Sequence, residues 1–378
     1  MRIGYISSSI IPSTTANSIQ VMKMCQAFAE LGNEVILIAP KLFKKIKIEF
    51  KDVWHHYGVT SRFEIKLISK QKFLGTYFFT LCAIIYTCMC KCDIIYTRSV
   101  LVAYCTTLFR KTVILELHSL PMGRAEPHLF RMLLKSHFLK RIIVITHSLL
   151  KLLTNQYALA LENDKIKVLP DGVDIKQFMN APEQKTARRY LKLNTSIGES
   201  VVCYTGHLYE GRGIDLILEL AKRLPQMTFL IVGGNTGDIT KWRLIQVQEK
   251  INNVIFFGFV PNAMIPLYLS ASDILIMPYQ EKISISGGIS DVYRWMSPMK
   301  MFEYMASGKL IIASDIPVLR EILNETNAIL CPPKDIDFWQ RSLEVAARDS
   351  QLREKLGKKA REDAQKYSWL NRARLCLM

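Results

Sequence analysis

The sequence lacks the signatures that mark most nucleotide-hydrolysing and proteolytic enzymes. It contains no G-x-x-x-x-G-K-[ST], no H-E-x-x-H and no G-x-S-x-G, which sets aside P-loop, zincin and serine-hydrolase chemistry. Its nine cysteines are odd in number and have neither C-x-x-C pairs nor histidines at zinc spacing. They read as free thiols of a reducing compartment. The opening MRIGYISSS has no charged segment followed by an apolar one, so no secretory signal is expected. Long uncharged runs are scarce too. The best candidate, Phe73–Cys90, only reaches the lower limit of a membrane span and is diluted by threonines, so a buried core helix is expected there.

Acidic residues are sparse in the first half. Residues 1–189 hold 27 Lys+Arg and 13 Asp+Glu, a balance of +14; the remainder holds 50 − 27 = 23 and 33 − 13 = 20, or +3. An anionic partner is expected for the basic half. Basic and apolar residues interleave in KLFKKIKIEF (Lys41–Phe50) and RMLLKSHFLKRII (Arg131–Ile143), a mixture suited to an anionic membrane surface and not to nucleic acid.

Short apolar runs alternate with amphipathic helical patterns along the whole chain, the pattern of parallel βαβ units. IGYIS, EVILIAP, FEIKLI, DIIYTR, TVILELH and RIIVITHS are strand candidates in the first half. ESVVCYTG, MTFLIVGG, NVIFFGFV, DILIMPY and KLIIASD follow in the second. The expected fold class is α/β, two Rossmann-like doubly wound domains facing a central cleft. The polar stretch after VLPDGVDIKQFM places the domains at 1–185 and 186–364.

The segment Ser297–Pro317, SPMKMFEYMASGKLIIASDIP, carries the most information. Ser297 is the expected N-cap, Pro298 the first helical residue and Gly308 the stop before a buried strand. Glu303 is an acid on an otherwise apolar helix. Amides at this helix start, with Met299 and Lys300, suit a phosphate, and Glu303 suits ribose hydroxyls. Upstream, Gly206 ends a strand and Arg212 stands at a glycine-lined helix start, a diphosphate clamp or merely a solvated arginine. Gly233 and Gly234 either let backbone approach a base or form a tight turn. His118, closing TVILELH, is either a proton donor or sugar ligand or a structural histidine. Ser18, in the polar loop before the first helix, and Arg98, ending DIIYTR, are candidates for the acceptor side. With no acidic metal clamp assigned, the charge on a leaving diphosphate falls to Arg212, Lys300 and helix amides.

Taken together, NSIQVMKMCQAFAELGNEVILIAP, IKVLPDGVDIKQF, YTGHLYEGRGIDLIL, LIVGG, ASDILIMPY and SPMKMFEYMASGKLIIASDIPVLREIL resemble the GT-B glycosyltransferases, glycosyltransferase family 4, across nearly the whole chain. KYSWLNRA looks like the family's last helix, so residues 365–378 are expected to return to the N-terminal domain. The resemblance implies a retaining hexosyl transfer from a UDP- or GDP-sugar, without metal or other cofactor, for polysaccharide or glycolipid biosynthesis. The implied acceptor is a lipid-linked or cell-envelope glycan, and the implied location is peripheral, on the cytoplasmic face of a membrane. It casts Glu303 as the ribose ligand, Arg212 as the diphosphate ligand, His118 as the contact to the donor sugar and Gly233 as the neighbour of the base. Two positions depart from the family pattern. Trp295 stands where a second glutamate is usual, with Glu281 or Asp291 as conceivable substitutes, and His207 stands where an arginine is frequent. A nucleotide-sugar epimerase or hydrolase of the same fold, and a non-catalytic basic membrane-binding protein, are the alternatives.

Overall fold

A computed structural model describes residues 1–41, 53–69, 75–159, 165–193, 199–285, 288–290 and 292–378. The basic stretch beyond Lys41, Asp291, and the start of the run at Phe73 lie outside the described residues.

Met1–Asp171 and Trp369–Met378 form one unit. Its strands are β1 (Arg2–Ile6), β2 (Glu34–Lys41), β3 (Glu64–Ser69), β4 (Ile94–Thr97), β5 (Thr112–Leu117), β6 (Leu139–Val144) and β7 (Ile166–Val168). All pair in parallel, in the order β3-β2-β1-β4-β5-β6-β7. Strands such as β1 and β5 are buried and largely apolar because helices cover both faces of a parallel sheet, Glu116 being the exception in β5. The order reverses between β1 and β4, and in such sheets ligands bind at that switch point.

Gly172–Ser368 form the other unit. Its sheet comprises β8 (Val201–Thr205), β9 (Thr228–Val232), β10 (Val254–Gly258), β11 (Ile274–Met277), β14 (Leu310–Ser314) and β15 (Ile329–Cys331). The order is β10-β9-β8-β11-β14-β15, the same winding again, with its switch between β8 and β11. A short antiparallel hairpin, β12 (Ile283–Ile285) with β13 (Gly288–Ser290), lies between β11 and the SPMK turn.

Three expectations are corrected. The division falls at Asp171/Gly172 and not at 185, because the helices Ile175–Met179 and Gln184–Tyr190 pack on the second sheet's layer. Phe178 is buried in that core, and Arg188 pairs with Asp273 at 2.6 Å. At the other end the return begins at Trp369 and not at 365, since Gln365–Tyr367 stays with the second unit, where Val173 N donates to Tyr367 O. The helix Gly75–Met89 is not a buried core helix. Phe79, Thr80, Ala83, Ile84 and Thr87 are buried, while Tyr77, Leu81, Ile85 and Met89 lie exposed on the opposite face.

Candidate functional site

In the second unit, the loops leaving β8 and β11 border the switch point. β8 runs out through Gly206 (φ +128), then Gly211 (φ +79) and Gly213 (φ +77), which begins the helix Ile214–Arg223. A Cβ on Gly211 would collide with the Lys282 carbonyl, and one on Gly213 with the Pro278 carbonyl. Only glycine tolerates both the left-handed backbone and that closeness, and Gln280 N seals the contact by donating to Gly211 O at 2.9 Å. The loop is thereby fixed against the segment leaving β11, with Arg212 held between its two glycines.

Arg212 and Lys300 meet at one aromatic ring. The Arg212 Cζ lies 5.1 Å and the Lys300 Nζ 5.4 Å from the centre of buried Tyr279, and Lys300 Nζ also sits 3.7 Å over Tyr204. Lys300 as a residue is half-buried, yet its Nζ is sealed, as is Arg212 Nε, and neither atom has a hydrogen-bond partner among the described residues. A Cβ on Gly206 would stand 2.8 Å from that Nζ, so glycine there makes room for the ammonium. Burial, then the Arg212 charge, hold the Lys300 amine well below its ordinary range, opposed by Glu303. Lys300 also occupies the first turn of a helix, where the dipole disfavours a cation. The two aromatic rings and Glu303 favour the charge, but burial, Arg212 and the helix start outweigh them.

The helix carrying Lys300 runs from Met299 to Ser307 and ends at Gly308 in the left-handed region (φ +71). Its N-cap is Pro298, without a side-chain cap bond, so the expected capping by Ser297 is corrected: Ser297 is buried one residue earlier. Glu303 lies three residues after Lys300, on the same side of the helix. Its Oε1 accepts from Asn262 Nδ2 at 3.0 Å, which aims the carboxylate. Tyr304, on the buried side, accepts from Thr205 N at 2.8 Å and ties this helix to the end of β8.

Other expectations resolve differently. A Cβ on Gly233 would strike the Gly206 carbonyl, so tight packing of the β8 and β9 ends demands glycine there. His207 stacks on Tyr209 at 4.8 Å, and burial with the Arg212 and Lys300 charges lowers its pKa to about 4. A neutral imidazole therefore replaces the arginine of the family pattern. Glu281 pairs with Lys334 at 2.6 Å on the surface and does not substitute for the acid missing at Trp295. The chain's D-x-D, Asp335-Ile336-Asp337, is not a metal clamp: Asp335 caps a helix through Phe338 N at 2.9 Å and Asp337 pairs with Arg223 at 2.6 Å.

In the first unit the organising group is Glu116, fully buried in β5. Its carboxylate accepts from Gln20 Nε2 (2.6 Å), Arg372 Nη1 (3.0 Å), the Tyr96 hydroxyl and His118 Nε2. Burial pushes this carboxyl up, but Arg372, His118 and Arg98 overcome it and hold the group well below the usual range. Burial and Arg98 depress His118, which is therefore neutral, with its Nε2–H donated to Glu116 and its Nδ1 left as acceptor. Arg98 is fixed by Asn17 and, at 3.2 Å, by Gln20. Ser18 is removed from the acceptor side: it is fully buried, and its hydroxyl donates to Ser13 O and Thr15 O within the turn.

Oxygen and nitrogen atoms of Glu116, His118 and Asp171 lie within 4.8 Å of one another, a spacing open to a metal ion. The Arg372 guanidinium, buried and donating also to Pro170 O (2.7 Å) and Leu169 O (3.2 Å), already supplies the positive charge there. That donor set fits a fixed internal counter-ion better than a divalent cation. Glu116 and Arg372 were not singled out from sequence. The available signal was an acid interrupting the apolar strand TVILELH.

Comparisons with known proteins agree with both halves of this picture. The sequence model of Glycosyltransferase Family 4 matches residues 18–177, and that of Glycosyl transferases group 1 matches residues 191–363. The putative teichuronic acid biosynthesis glycosyltransferase TuaH of Bacillus subtilis is 28% identical over 156 residues, 41% of this chain and 35% of that protein. The alpha-galactosylglucosyldiacylglycerol synthase of Streptococcus pneumoniae is 26% identical over 217 residues, 56% of this chain and 53% of that one. The matches thus span about half or less of these relatives' own length. HepE of Anabaena, solved in complex with UDP, superposes with a TM-score of 0.74 at 16% identity, covering 100% of this chain and 98% of that one. With two Rossmann-like units and both family models matched in order, the chain belongs to the GT-B glycosyltransferases of the family 4 type.

Proposed function

We propose that the chain is a retaining glycosyltransferase that takes a UDP- or GDP-sugar as donor and a lipid-linked or cell-envelope glycan as acceptor. The observation that carries this is the meeting of Arg212 and Lys300 over Tyr279 at a sheet's switch point, with Arg212 Nε and Lys300 Nζ both buried and not hydrogen-bonded among the described residues. A nucleoside diphosphate supplies the missing anion, and the ribose hydroxyls fall to Glu303, one turn further along the helix. The acceptor class is supported by the glycolipid and envelope-glycan names of the relatives.

In this reading the bond from the anomeric carbon to the β-phosphate oxygen breaks and its electron pair stays on the phosphate. Arg212, Lys300 and the uncapped amides at Met299 stabilise that charge, the role a metal plays elsewhere. The acceptor oxygen bonds to the same face of the carbon, and its proton passes to the departing phosphate. His118, neutral and tautomerically fixed, is assigned to a sugar hydroxyl and not to proton abstraction.

Turnover of the Arg212→Ala and Glu303→Ala enzymes tests the assignment. Each should fall by well over tenfold, a barrier increase above about 1.4 kcal/mol; near-wild-type rates in both would remove it. Incubation with donor alone separates transfer from hydrolysis or epimerisation, since a transferase releases nucleotide only slowly without acceptor.

A further inference from the structure

The helix Gly75–Met89 has no charged residue and exposes Tyr77 (66%), Leu81 (47%), Ile85 (43%) and Met89 (75%). These are spaced by four, so they form one stripe along a single face. This helix packs beside Val100–Leu108, which packs beside Glu126–Leu134. All three are crossover helices of one parallel sheet, so they run in the same direction and their carboxyl ends share an edge. At that edge each ends in exposed apolar and basic residues: Met89 with Lys91, Leu108 and Phe109 with Arg110, and Met132 with Arg131 and Lys135. The exposed acids beside it are Asp93, Glu34, which pairs with Arg2 next to Cys90 O, and Glu64, which accepts from Tyr86 of the first helix; Glu126 lies at the amino end of its helix.

Scattered apolar residues are ordinary on a protein surface, but a continuous stripe rimmed by cations is not. At 15 residues this helix is about 22 Å long, too short to cross a bilayer of about 30 Å. No helix among the described residues is long and apolar enough to cross a membrane. The geometry fits a surface that lies on a membrane, with apolar groups in the acyl boundary and cations at phosphate depth.

We propose that this three-helix layer is the docking face for an anionic lipid bilayer, with Tyr77, Leu81, Ile85 and Met89 as the inserted stripe. The charge of the unit argues for this occupant over a second copy of the chain. Residues 1–171 and 369–378 carry 25 Lys+Arg and 11 Asp+Glu, or +14, and a like-charged copy would be repelled. The inference deepens the reading that the acceptor is held in a membrane.

The test uses the full chain with vesicles of phosphatidylcholine, with and without phosphatidylglycerol. Co-sedimentation is expected only with the anionic vesicles and should weaken with added salt. The Leu81→Glu, Ile85→Glu double variant should bind at least tenfold more weakly while keeping its melting temperature and its response to nucleoside diphosphate. A Tyr77→Trp protein, which leaves the fold intact, reports location: its emission should shift to the blue on anionic vesicles. An unshifted emission in protein that co-sediments, absence of co-sedimentation, or a dimer that the double variant dissociates would each overturn the proposal. Vesicle binding without any nucleotide response would leave this face standing and remove the donor-site reading instead.

Discussion

Lys300 is the residue on which the account turns, because its position is unfavourable until a ligand arrives. A sealed amine with no hydrogen-bond partner among the described residues, beside Arg212 and at a helix start, destabilises the free protein despite the two rings beneath it. Lys300→Met should therefore raise the melting temperature of the free chain by a few degrees, at about 2–4 °C per kcal/mol for a domain of this size, while abolishing stabilisation by nucleoside diphosphate. Because the amine is depressed in the free protein, binding a diphosphate should take up a proton. The calorimetric binding enthalpy should then vary with the ionisation enthalpy of the buffer. His207 gives a second titration. Its pKa falls from 6.5 to about 4 on folding, so between those values the unfolded chain binds a proton that the folded chain excludes. Stability must fall as pH falls through that window, and His207→Gln should flatten this part of a melting-temperature profile.

At the scale of elements, two connections hold the sites in place. The turn Gly211-Arg212-Gly213 fits against Pro278 and Lys282 only without side chains. Gly213→Ala should cost at least about 1–2 kcal/mol for the left-handed backbone alone, lower the melting temperature accordingly and weaken nucleotide binding by displacing Arg212. The other is the helix Trp369–Leu377, which returns to the first unit through Arg372 on Glu116. Arg372→Met leaves a buried carboxylate unpaired, and urea unfolding should show a loss of about 3–5 kcal/mol, much of it recovered by adding Glu116→Gln.

Eleven strands could be read from their apolar runs, most of which are continuously buried, while β3 and β10 are only partly so. β7 and β15, of three residues each, carry no periodicity and were invisible, as was the β12–β13 hairpin. Among site residues, Arg212, Lys300 and Glu303 were legible because a charge on an otherwise small or apolar segment stands out locally. Asn262, Tyr279 and Arg372 were not: they act through contacts distant in sequence, such as Asn262 on Glu303 across 41 positions. Ser18 misled for the opposite reason, since a serine in a polar loop looks available until its hydroxyl is seen bonded inside the turn.

For the whole molecule, the two units share one winding but differ in charge, and the proposed partners differ accordingly. Residues 172–368 hold 50 − 25 = 25 Lys+Arg and 33 − 11 = 22 Asp+Glu, a nearly neutral +3, so anion binding there has to come from placed cations and not from a general field. Raising the salt concentration should accordingly weaken vesicle binding well before it weakens nucleotide binding, which equilibrium measurements of the two across ionic strength can compare.

The central claim is that Arg212 and Lys300 form a diphosphate site. The most direct measurement is a thermal-shift titration of the full chain with UDP, GDP and their parent nucleosides. It should be repeated on the Arg212→Ala, Lys300→Met double variant. A nucleoside diphosphate should raise the melting temperature of the wild type, its parent nucleoside should not, and the variant should not respond. A wild type indifferent to both diphosphates, or a variant that responds as the wild type does, would contradict the claim.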